Sequence, residues 1–158
     1  MRYCLIKKVV SKMFGKLKNL FGGDSGIEIT APVAGKVVAL EDVPDPTFAQ
    51  GILGPGIAIE PAEGRIVAPA DGTVDVMFET GHAVSMTTAD GAELLIHVGI
   101  DTVQLEGKHY KACCKAGQQV KKGDVLIEFD PAAIKAEGYQ MLMVNSESVS
   151  YTHLTLPT

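Results

Sequence analysis

Two short strings recur at a fixed distance in this chain, and that echo constrains its fold more than any other feature. Ala31-Pro-Val-Ala-Gly-Lys-Val37 and Ala68-Pro-Ala-Asp-Gly-Thr-Val74 lie 37 residues apart. Each has an extended Ala-Pro lead-in, because the residue before a proline is driven out of helical geometry. A glycine turn follows, and then a return into valines. Asp71-Gly72 suits a tight hairpin, where glycine takes positive φ at little cost. Residues 117–130 read as a strand, a Lys-Gly-Asp turn and an alternating strand. Such repeats predict an all-β fold, an antiparallel sandwich or barrel with duplicated halves. The 17 glycines, the 8 prolines and the lack of Trp agree with short strands joined by tight turns. Residues 131–139 predict one short helical turn, opened by Pro131 and closed by Gly138. A chain of 158 residues is enough for one domain with a real core.

The net charge of −5 is an average over two unlike parts. Residues 1–21 carry Arg2, Lys7, Lys8, Lys12, Lys16 and Lys18 and no acid, whereas the rest carries eight basic and nineteen acidic side chains. Within 1–21, Leu5, Ile6, Val9, Val10, Met13, Phe14, Leu17, Leu20 and Phe21 keep an i, i+3, i+4 rhythm, which predicts a basic amphipathic helix. Such a helix suits an anionic membrane surface; packing on its own domain is the competing reading. Residues 22–26 read as a flexible linker and residues 27–148 as the globular domain. The acidic body argues against a nucleic-acid partner, since phosphate contacts need clustered Lys and Arg. Three cysteines, two of them the adjacent Cys113 and Cys114, form no disulfide framework and point to a reduced, cytoplasmic setting. No apolar run approaches the roughly 18–20 residues of a membrane span, and no secretory signal opens the chain. The uncharged run from Ser148 onward has no partner pattern; residues 149–158 are expected to be a non-native tail, and His153 is given no role.

Among the four histidines, His97 has the most informative context. In Glu93-Leu-Leu-Ile-His-Val-Gly-Ile-Asp101, alternation places Leu94, Ile96, Val98 and Ile100 on a core face. Leu95, His97 and Gly99 then share the outer face, open to another protein, with the Asp101 carboxylate at the strand end. His82 sits where a glycine bend meets a new strand, and alternation leaves its face undecided. A hairpin through Thr88-Ala-Asp-Gly91 would bring the two imidazoles together, and Thr80, two residues before His82, could orient its ring. The pair could bind zinc, yet His-x-His and His-Glu-x-x-His are absent, and Asp101 as a third ligand has no diagnostic spacing. The serine-hydrolase turn and the phosphate-binding glycine-lysine loop are absent too. A neutral imidazole can also act as a nucleophile and carry a phosphoryl group, with a second His supporting the arriving charge.

At these segments the chain resembles the glucose-family enzyme IIA (EIIA-Glc, PTS EIIA type 1) of the bacterial phosphoenolpyruvate-dependent sugar phosphotransferase system. The resemblance is carried by residues 29–37, 41–49, 56–59, 67–74, 78–83 and 95–107, and it extends from about Met13 to Ser148. It implies an antiparallel sandwich with duplicated halves. It also implies that His97 accepts a phosphoryl group from the phosphohistidine carrier protein HPr and passes it to a cysteine on the IIB domain of a sugar permease. His82 would support the group and its onward transfer, with Thr80 as its hydrogen-bonding partner. Asp45 and Asp101 match acidic docking positions. Phe48, Ile52, Leu53, Phe78, Leu95 and Val103 match an apolar ring around the site, although packing considerations alone favour the core for Ile52 and Phe78. No cofactor is required for this transfer. Zinc shared between His82, His97 and a partner's carboxylate is compatible with it. Relatives also bind permeases or metabolic enzymes in a phosphorylation-dependent way.

Three departures from the family pattern are visible. Residues 1–12 precede the usual start, Pro46 and Thr47 replace valines of some members, and the pattern is expected to break off at 148, leaving the domain incomplete with an exposed sheet edge. Two other classes fit less well. A zinc metallopeptidase of the lysostaphin type needs a His-x-His pair, and biotinyl or lipoyl carriers need a lysine at a hairpin tip.

Overall fold

The computed structural model describes residues 29–50, 52 and 56–148. The expected helix over 1–21, the linker over 22–26, Leu53 and the tail over 149–158 lie outside the described residues. Among the described residues, ten strands run in chain order: β1 Gly35–Val38, β2 Gly56–Pro61, β3 Arg65–Val67, β4 Gly72–Met77, β5 Ala83–Thr88, β6 Glu93–Val98, β7 Tyr110–Ala112, β8 Gln119–Val120, β9 Val125–Phe129 and β10 Met143–Ser148. Two short helices, α1 Pro46–Ala49 and α2 Pro131–Ala136, and two 3-10 turns, Leu40–Asp42 and Thr102–Leu105, join them. Among the described residues, no helix is long and apolar enough to cross a membrane.

The strands form two antiparallel sheets. The larger has the order β1-β2-β10-β6-β5-β4-β8 and the smaller β3-β9-β7. Ile66, Leu126, Ile127 and Phe129 of the smaller sheet pack with Ile59, Val74, Val84, Met86, Ile96, Val98 and Met143 of the larger, which makes the sandwich core. A smaller cluster, Val43, Phe48, Ala58, Ile100, Leu142 and Val144, lies on the other side of the large sheet. Ile100 therefore parts from Leu94, Ile96 and Val98: the chain turns at Gly99 (φ 90) after the strand has ended, and alternation no longer applies.

The echo has a structural counterpart. Thr30 donates its backbone N–H to the Pro69 carbonyl at 3.0 Å, and Val67 donates to the Pro32 carbonyl at 2.8 Å. Since 30 and 67, like 32 and 69, are equivalent positions of the two copies, the halves exchange the same bond. Each copy then opens a strand, β1 and β4, that pairs with the next strand in sequence. The glycines do something other than turn a hairpin. A Cβ at Gly35 would sit 2.1 Å from the Glu60 carbonyl oxygen, and one at Gly72 would sit 2.2 Å from that of Thr87. Both therefore permit close backbone approach at the first rung, and neither has positive φ.

The copies differ in what joins their strands. Between β1 and β2 runs a long segment that includes α1, whereas β4 reaches β5 through a short turn over 78–82. The hairpin expected between β5 and β6 is present, with Gly91 donating to the Thr88 carbonyl at 2.9 Å. The expected turn after Pro131 is α2, capped by the Asp130 carboxylate on the Ala133 N–H and followed by Gly138 at φ 91.

Candidate functional site

His97 lies on the outer face of the large sheet, fourth in a row that crosses five strands. Val38 pairs with Ala58, Ala58 with Val144, Val144 with His97 and His97 with Ala83. Val144 and Ala83 are the cross-strand neighbours of His97 on either side. The inner edge of its ring is closed: Nδ1 is buried and has no hydrogen-bond partner. The Gly99 backbone favours the protonated ring, the sign expected of a carbonyl near an imidazole N–H. The ring is half-buried rather than open, as is Leu95.

His82 precedes the first paired residue of β5, just after Gly81 bends the chain at φ 67, so strand alternation does not govern it. Its ring lies 5.0 Å from that of His97, centroid to centroid, and nearly perpendicular at 79°. Thr80 Oγ1 is hydrogen-bonded to His82 Nδ1, which leaves Nε2 as the uncommitted nitrogen. Phe78 meets His82 edge-on at 5.5 Å, and Phe48 meets His97 at 5.2 Å.

Burial dominates the electrostatics. Desolvation, reinforced by the neighbouring His82, lowers the His97 pKa to about 4, against smaller opposing pulls from Gly99, Asp45 and Asp101. His82 is also lowered, by burial. Both rings are therefore neutral at pH 7, and an uncharged imidazole keeps a lone pair on one nitrogen.

The expected apolar ring divides in two. Phe48 is the buried member, held on α1, which Pro46 opens and the Asp45 carboxylate caps at the Thr47 N–H (2.8 Å). Ile52 is 66% exposed, Phe78 39% and Val103 47%, which overturns the core packing that size and hydrophobicity favour for Ile52 and Phe78. Asp101 is exposed at the head of the second 3-10 turn, with φ 58. His109 takes no part: its Nε2 lies 3.1 Å from Glu137 Oε1 beside α2.

Val76 is an apolar residue on the same face that alternation hides. A bulge at Asp75 shifts the β4–β5 register, so that Val74 faces Met86 in the core while Val76 faces Ser85, whose other neighbour is Leu95. Val76 is 47% exposed as a result. The only available sign was an acid between two valines, which is too weak to place a bulge.

Zinc fits this geometry in part. His82 and His97 offer two imidazole donors, and among the described residues no group of three or more His, Cys, Asp or Glu could hold a metal ion. A four-coordinate ion would need donors from a second molecule.

Paired histidines on a β-sandwich, with Phe48 and Phe78 against their rings, define the candidate site. Residues 27–148 match the family described as "phosphoenolpyruvate-dependent sugar phosphotransferase system, EIIA 1". The chain is 42% identical over 147 residues to the "PTS system glucose-specific EIIA component" of Staphylococcus epidermidis, covering 90% of this chain and 87% of that protein. It is 50% identical over 121 residues to the "PTS system beta-glucoside-specific EIIBCA component" of Dickeya chrysanthemi, covering 74% of this chain but 19% of that longer protein. Among solved structures, "glucose permease IIA from Mycoplasma capricolum" superposes with a TM-score of 0.70 at 31% identity, over 77% of this chain and 79% of that one. The chain belongs to the EIIA 1 family, a phosphotransferase component of the sugar phosphotransferase system. The family and these relatives favour phosphoryl transfer over the peptidase alternative.

Proposed function

We propose that this chain carries a phosphoryl group in sugar uptake, accepting it on His97 from HPr and delivering it to the IIB cysteine of a glucose-family permease. The observation that carries the reading is the placement of His97, with Nδ1 buried and the outer edge of the ring beside a second histidine. Nε2 is then the acceptor atom. Its lone pair attacks phosphorus in line, the N–P bond of the donor phosphohistidine breaks, and the donor ring nitrogen takes back the electron pair. In the second transfer a cysteine thiolate attacks, the S–P bond forms, and His97 Nε2 leaves as neutral imidazole nitrogen.

His82 supports the bound phosphoryl group and its onward transfer. If the Thr80 hydroxyl donates to Nδ1, the His82 proton resides on Nε2, where it can donate to a phosphoryl oxygen as charge arrives. Exposed Ile52, Phe78 and Val103, with Leu95, form the docking collar that keeps water from the labile N–P bond. Asp45 and Asp101 meet a basic rim on each partner. Zinc, when bound by His82 and His97, would bridge the chain to a carboxylate of another protein; no transfer step requires it.

The domain over 27–148 works in the cytoplasm, and the basic segment 1–21 holds it near an anionic membrane surface where a permease lies. Phosphorylation-dependent binding of permeases or metabolic enzymes would use the same face.

The test is incubation with phosphoenolpyruvate, enzyme I and HPr, followed by detection of an acid-labile phosphoryl adduct. His97→Ala should abolish labelling, and persistent labelling would refute the assignment. His82→Gln should still label but fail to transfer to a IIB cysteine; intact onward transfer would remove His82 from its role.

A further inference from the structure

Val98 lies between His97 and Gly99, and the backbone around it is tied down on every side. Its N–H donates to the His82 carbonyl at 2.7 Å, and the Gly99 N–H donates to the Leu142 carbonyl at 2.9 Å. The Val98 carbonyl accepts two hydroxyls, Thr102 Oγ1 at 2.8 Å and Tyr110 Oη at 2.7 Å. A carbonyl oxygen has two lone pairs, and both are engaged here. One donor would satisfy this acceptor; two, arriving from the 3-10 turn and from β7 of the smaller sheet, also fix its direction.

Gly99 then turns at φ 90 beneath the same side chains. A Cβ there would lie 2.3 Å from Thr102 Cγ2 and 3.1 Å from Tyr110 Oη. Of the three groups that favour a proton on His97, the Gly99 backbone acts most strongly, ahead of Asp45 and Asp101, and the ring's Nδ1 is buried. Burial pushes Tyr110 up to about 12, so it remains an O–H donor across the working pH range. Its ring also stacks on Phe129 at 6.4 Å, which gives it a packing role separable from its hydroxyl.

We propose that Thr102 and Tyr110 are positioning residues: their hydroxyls lock the Val98 peptide, which sets the Gly99 backbone against His97 Nδ1 and thereby presents Nε2 at the mouth of the site. Neither side chain touches the transferred group, and the inference rests on the reading of His97 as acceptor.

The experiment uses the full chain with 15N-labelled histidine and three variants, Thr102→Val, Thr102→Ser and Tyr110→Phe. The His97 ring-nitrogen shifts at pH 7 report the tautomer, and the rate of phosphoryl acceptance from phosphorylated HPr is measured in parallel. The unsubstituted chain should show one dominant His97 tautomer with Nε2 unprotonated. Thr102→Val and Tyr110→Phe should move the shifts toward a tautomer mixture and slow acceptance about tenfold. Thr102→Ser, which keeps the hydroxyl, should restore both. Unchanged His97 shifts in Thr102→Val and Tyr110→Phe would overturn the proposal, and if Thr102→Val fails to fold, Tyr110→Phe decides alone. If the unsubstituted chain accepts no phosphoryl group, the acceptor reading fails, while the nitrogen shifts still decide the positioning.

Discussion

At the scale of single residues, His97 couples chemistry to stability through its burial. The folded ring binds its proton near pH 4, and the unfolded ring near 6.5. Between these values the unfolded chain holds more protons, so stability falls as pH drops from about 6.5 to about 4, by at most about 3 kcal/mol. Urea unfolding at stepped pH should show this loss, and His97→Gln should flatten that part of the profile; an unchanged profile would mean the ring is not desolvated. The two histidines were legible because the strings around them are distinctive and one lies on a regular strand. The exposure of the collar was not. Ile52 and Phe78 are large and apolar, and nothing local distinguishes a side chain packed inside from one kept outside for a partner. Leu94, Ile96 and Val98 followed alternation into the core, whereas Ile100 left it once Gly99 had turned the chain.

At the scale of elements, one inserted residue decides what β4 presents. Val74 and Val76 share a face in any unbroken strand, yet the Asp75 bulge buries the first completely and exposes the second. Val74→Lys should therefore cost several kcal/mol and unfold the domain, because it buries an unpaired charge. Val76→Lys should change stability by no more than about 0.5 kcal/mol. Thermal melts of the two variants check this, and equal losses would contradict the bulge. Bulges escape sequence reading because a period of two contains no mark for the residue that breaks it. Capped turns were easier. Pro131 and Gly138 bracket α2 as their backbone preferences require, and the Asp-Pro pairs at 45–46 and 130–131 start both short helices. The echo predicted two equivalent strand openings but assigned their glycines to turns, since close backbone approach depends on a neighbour that sequence does not name.

At the scale of the whole molecule, the duplication was legible and the strand order was not. β10 is the last strand among the described residues, yet it lies between β2 and β6 and joins β1-β2 to the remaining strands of the large sheet. The unbroken apolar run Met141-Leu-Met-Val144 that leads into β10 fits a buried strand or a helix equally well, and nothing local assigns its neighbours. Ending the chain after Gln140 should leave two sheet fragments with unpaired inner edges, seen as lost cooperativity in urea and rapid proteolysis. A cooperative, protease-resistant product would show that β10 is dispensable. The same placement has a temporal consequence. Val144 lines the row that carries His97, so during synthesis β6 lacks one neighbour until the ribosome has released β10. A nascent chain would therefore present His97 in an unfinished setting, and the proposed competence for phosphoryl loading would arrive late, in one step, as β10 slots into the middle of the sheet.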